Sequence, residues 1–105
     1  MKQMKIIKKL SEMIEEELSD AEKYIRCAEA YKEEYPTLAA VFYKLSTEEM
    51  THMNLLHDQV TLIIADYRKE HGDPPERMQG VYDYLHQKFM EEANRIRVMQ
   101  NLYKG

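Results

Sequence analysis

Three glycines, three prolines, one cysteine and no tryptophan stand among 105 residues. Each scarcity excludes something. So few chain breakers leave no room for the many tight turns of a β-sandwich or barrel. Cys27 alone builds neither a disulfide framework nor a Cys-x-x-Cys metal knuckle, which fits a reducing cytosol and a cytoplasmic chain. A net charge of −4 gives no general basic face for nucleic acid or an anionic membrane. No apolar run approaches the roughly 20 residues of a membrane span. No apolar core of roughly 7–15 residues follows Lys2, Lys5, Lys8 and Lys9, so no signal peptide is expected.

What is present reads as helix. Hydrophobic residues make up 44% and charged residues 32%, a folded composition for one small domain. Two breaks interrupt it. In "EEYPT", Pro36 cannot continue a helix but suits the first turn of a new one. In "HGDPPE", Gly72 suits a helix end, Asp73 a cap, Pro74 a first turn and Glu76 the third position of a capping box. The expectation is an all-α chain of three helices, about 4–33, 37–70 and 75–103, each roughly 45 Å long. Helices of that length with short connections pack as a bundle.

A 3-4 spacing gives one stripe per helix. The first runs Ile7, Leu10, Ile14, Glu17, Ala21, Tyr24, Ala28, Tyr31. The second runs Leu38, Phe42, Leu45, Glu49, His52, Leu56, Gln59, Ile63. The third runs Met78, Tyr82, Leu85, Phe89, Glu92, Ile96, Met99, Tyr103. Each is mostly apolar, and each is interrupted near its middle by an acid. A buried lone carboxylate is costly unless it is paired or binds a metal. Residues 49 and 52 share one side of a helix, so their side chains can reach one point. A carboxylate and an imidazole converging in a bundle are ligands for a transition metal. A short turn near Tyr35 makes the first two helices antiparallel, which brings Glu17 level with this pair.

Other residues carry less. Fourteen Glu make a chance Glu-x-x-His unsurprising, and Asp83-x-x-His86 shows the same spacing beside its stripe. Glu16 is one residue off the seam and is the alternative to Glu17. Glu92 reads as a salt-bridge partner, for example of Arg95, and as the alternative fourth ligand. Arg26 is the bland partner for Glu49 and His52. His57, His71 and His86 read as surface residues, Cys27 as small and buried, and Tyr24 as a group that could hydrogen-bond a ligand.

"EELSDAEKY" and "YPTLAAVFYKLSTEEMTHMNLL" together resemble the first helix pair of the rubrerythrin branch of the ferritin-like superfamily. The likeness lies in Glu17 with Tyr24 seven residues on, the entry to the second helix, and Glu49-x-x-His52 some 32 residues after Glu17. It covers roughly residues 7–60. It implies a ferritin-like four-helix bundle and a two-metal carboxylate centre. Iron is the implied metal, with manganese or zinc as alternatives, and the implied chemistry is Fe(II) oxidation or reduction of O2 or peroxide. The chain departs from the family in two ways. Its third helix has no stripe-centred Glu-x-x-His, so one chain offers half the ligand set: Glu17, Glu49 and His52. A two-fold homodimer, or a larger even-numbered oligomer, would supply four Glu and two His. The four-cysteine rubredoxin module is also missing. The alternative function is a structural or interaction bundle with no working metal site.

Overall fold

The computed structural model describes residues 2–105, and these form three helices: α1 (Lys2–Tyr31), α2 (Pro36–His71) and α3 (Glu76–Lys104). No strand occurs among the described residues. The molecule is a rod of 56 × 17 × 16 Å. α1 and α2 form an antiparallel hairpin. α3 runs back alongside, packing chiefly on α1 and more lightly on α2.

The breaks act as their chemistry requires, with one exception. Pro36 opens α2, and the Tyr35 carbonyl accepts the Ala39 N–H at 2.9 Å. Gly72 closes α2 in the left-handed region (φ 77°), where a side chain would be strained, and its N–H caps the Arg68 carbonyl at 2.9 Å. The capping box of Asp73 and Glu76 does not form. α3 begins at Glu76, one residue after the expected 75 and two after Pro74, following Pro75, whose ψ of 144° is extended. The two prolines explain the shift: Pro75 disfavours helical backbone at the residue before it, so Pro74 cannot start the helix.

Three helices close one core. Ile14, Leu18 and Ile25 from α1, Met53 from α2 and Ile96 from α3 are all but inaccessible. Each such side chain contributes roughly 1.5–3 kcal/mol as an upper estimate. One polar chain crosses the core. The buried Ser46 hydroxyl donates to the Ala21 carbonyl at 2.7 Å and accepts from Gln100 Nε2 at 2.9 Å. It ties all three helices and leaves each polar group partnered.

The centre of burial differs from the expected stripes by one residue. On α1 it follows Ile7, Ser11, Ile14, Leu18, Ala21, Ile25 and Ala28. Leu10, Glu17 and Tyr24 are half-buried, on the flank. On α2 it follows Ala39, Ser46, Met50, Met53, Val60, Ile64 and Tyr67, with Phe42, Leu45, Glu49 and Leu56 on the flank and His52 beyond it. The reason is α3. It covers only one side of the hairpin, so burial centres on that side and the other stays open.

Candidate metal centre

The flank positions meet across the hairpin. Tyr24 stacks on Phe42 with ring centroids 6.2 Å apart, and Tyr31 stacks on the same ring at 6.1 Å. Two turns from Tyr24, α1 places Glu17 opposite Glu49 and His52 of α2. Glu49 and His52 are three residues apart, so they share one helix face. His52 Nδ1 lies 3.4 Å from Glu17 Oε2 and 3.8 Å from Glu49 Oε2. One ligand atom from each of the three residues falls within 4.8 Å of the other two. That is the spread of donors around a single ion.

The electrostatics are those of crowded anions. Glu49 lies in hydrogen-bonding contact with Glu17. With burial adding to it, this contact pushes the Glu49 carboxyl up to about 7. Repulsion from the Glu17 and Asp20 carboxylates acts in the same direction, and His52 opposes it. A cation between the two carboxylates would relieve this crowding. The site is not sealed. The carboxylate side chains are 17% and 24% exposed, but His52 is 51% exposed. Exposed leucines lie elsewhere on α2: Leu55 one turn on from His52, with Leu38 and Leu62 further along the helix.

Glu17, Glu49 and His52 are thus brought together, and the alternatives are not. Glu16 is exposed. Glu92 lies with Glu22 and Arg95 between α1 and α3. Arg26 is engaged by Glu22 at 3.0 Å, and Arg95 binds the same carboxylate. Arg95, then Arg26, hold the Glu22 carboxyl below its ordinary range. This removes Arg26 as the partner of Glu49 and His52. His71 is on the surface beside Glu70, as expected. Asp83 accepts a hydrogen bond from Gln79 at 2.8 Å.

His57 and His86 depart from expectation. They are not surface residues. Both are half-buried, and His57 Nε2 lies 2.9 Å from His86 Nδ1. The signal was available: His57 continues the buried line Met50, Met53, Val60, and His86 falls beside Leu85 and Phe89 on α3.

No family model, curated protein or solved structure matches the chain.

Proposed function

We propose that the chain is a metal-binding protein of the ferritin-like type, in which Glu17, Glu49 and His52 hold a transition metal at a face closed by a second copy. The observation that carries this reading is the convergence of two carboxylates and an imidazole on one point of an otherwise apolar, uncovered face. Water-exposed acids repel and separate. These two stay side by side, an arrangement a cation relieves.

The donor set suits the metal. Carboxylate oxygens with an imidazole nitrogen match iron, manganese or zinc, and nothing here offers the thiolates that softer ions select. One chain supplies three ligands. A two-fold contact across the open face would bring the partner's three to the same axis, giving the four carboxylates and two imidazoles of a two-metal carboxylate centre. Leu38, Leu55 and Leu62 would be covered by the same contact. This is the assembly implied by the resemblance to the rubrerythrin branch.

Bound iron would supply the one-electron chemistry for oxidising Fe(II) or reducing O2 or peroxide. The chain's own residues do the rest. Glu17 and Glu49 would hold the ion through their carboxylate oxygens. His52 presents Nδ1 to the same point and, being half exposed, marks the way in. The leucines of the face exclude water once the second copy is seated. A second reading has its own support. His52 at 3.4 and 3.8 Å from two carboxylates is also what a protonated imidazole in an ordinary ion cluster looks like. That would be a structural bundle with no metal.

The two readings separate in one experiment. Protein purified without chelator and loaded anaerobically with Fe(II), Mn(II) or Zn(II) should melt higher than chelated protein, since a ion bound only by the folded state stabilises it. Glu49→Gln with His52→Ala should abolish the rise. An unchanged melting temperature in the wild type supports the structural bundle.

A further inference from the structure

A second pair of ligating groups lies on the other side of α2. His57 is five residues past His52, about 140° around the helix and roughly 7.5 Å along it. It faces α3 while His52 faces away. We infer that His57 and His86 form a separate site for a divalent metal with a preference for tetragonal geometry, Cu(II) or Ni(II), bridging α2 to α3. The inference is independent of the Glu17, Glu49 and His52 centre.

The first argument is distance. His57 Nε2 and His86 Nδ1 are 2.9 Å apart. Two metal–nitrogen bonds of about 2.0–2.1 Å meeting at about 90° span about 2.9 Å, the bite of adjacent positions in a square-planar or tetragonal ion. A tetrahedral ion needs a wider bite, about 3.3 Å by the same reasoning. The rings are already inclined to each other by 34° with centroids 4.9 Å apart.

The second argument is preorganisation. The rings sit at a cleft lined by Ser11, Ile14, Val60, Tyr82, Leu85 and Phe89, with room for about one water-sized guest. Tyr82 stacks on His86 at 5.8 Å and holds that ring in place. No carboxylate lines the cleft. Asp58 acts on His57 only through its field and is outweighed by burial and by His86, which together lower the His57 pKa.

The third argument is proton balance. In the metal-free pair one ring donates its N–H to the other. When an ion takes the place of that hydrogen bond, the proton moves to the far nitrogen of the donor ring. Each imidazole still carries one N–H, and above the histidine range no net proton is released. Acid competes with the ion, so binding weakens as the rings become protonated.

The test uses Cu(II) alone on the full chain carrying Glu49→Gln, His52→Ala and Cys27→Ser, which removes the first site and the thiol. The expected result is one saturable copper per chain, with nitrogen hyperfine splitting in its electron paramagnetic resonance spectrum and a raised melting temperature. His57→Gln or His86→Gln should each weaken binding at least tenfold. Failure to bind, or an affinity in either single variant equal to that of the parent, overturns the site. If those variants fold poorly, labelling of the wild type by diethyl pyrocarbonate decides: copper should shield His57 and His86 together, and equal labelling of either with and without copper contradicts the inference.

Discussion

The two sides of the α1–α2 hairpin are built from similar spacings and end up unlike. The side under α3 carries Ile14, Leu18, Met53 and Ile96, all at 1% exposure or less. Its polar groups pair off: Gln100 donates to the Ser46 hydroxyl, which donates to the Ala21 carbonyl. The opposite side carries Leu10, Tyr24, Phe42 and Leu56 in the same rhythm, but with Glu17 and Glu49 at its centre, His52 beside them, and leucines left in water. The first side is complete within the chain. The second has a core's apolar pattern without a core's cover, and its polar groups crowd where the first side's pair off. The proposed second copy and metal ion would add to this side the layer and the counter-charge that the first side finds within the chain.

The comparison breaks most severely if the two sides answer truncation alike. Leu18→Ala should destabilise the chain by about 2–5 kcal/mol, because it leaves a cavity in a closed core. Leu55→Ala, at 61% exposure, should change the stability of a single chain by about 0.5 kcal/mol or less. It should instead weaken self-association, read by sedimentation over a concentration series. A stable folded monomer of the wild type at micromolar concentration would contradict the two-chain centre.

The polar groups sharpen the contrast at a smaller scale. Gln100→Ala removes one of two hydrogen bonds to the buried Ser46 hydroxyl, which keeps its bond to Ala21. The expected loss is about 1 kcal/mol, or roughly 4–8 °C in melting temperature for a chain of this size.

On the open side the effect is one of pH. In chelated protein the folded-state pKa of Glu49 is raised from 4.5 to about 7, so the folded chain binds more protons than the unfolded one in that interval. The stability from this proton is fully present below pH 4.5 and is lost as pH rises through 7. His57 has the opposite sign: its pKa is lowered, so its contribution is present above the ordinary histidine value and lost as pH falls. Glu49→Gln removes only the first. Thermal melts of the chelated variant from about pH 5 to about pH 8 should therefore lack the wild type's loss of stability on the alkaline side. An unaltered pH profile would mean that the Glu49 carboxyl is not raised in the folded chain. Added metal replaces that proton, so metal should raise the wild-type melting temperature more at about pH 7.5 than at about pH 5. The smallest effect is the control: Asp83→Ala should leave the metal response intact.

Much of this contrast was legible before the fold was seen. Pro36 and Gly72 fall at the breaks because backbone chemistry allows little else there. The three acids at mid-stripe were visible as anomalies, and Glu17 met Glu49 because a short turn leaves few registers for an antiparallel hairpin. What could not be read was which side of the hairpin α3 would take. The stripe of Leu10, Glu17 and Tyr24 is as apolar as its neighbour through Ser11, Leu18 and Ile25. Only the third helix decides which is the core. The same ambiguity hid His57 and His86, since a histidine's burial depends on the helix that comes to lie over it. The start of α3 was misplaced for a local reason, the effect of Pro75 on Pro74.

The central claim is that the open side is a metal centre awaiting its other half. It is tested most directly by the metal-to-protein ratio after anaerobic loading with Fe(II) and desalting, for the wild type beside Glu49→Gln with His52→Ala. The account predicts about one ion per chain in the wild type, as a two-metal centre shared by two chains requires, and none retained by the variant at that site. No retained iron in the wild type, or equal iron in both proteins, would contradict it.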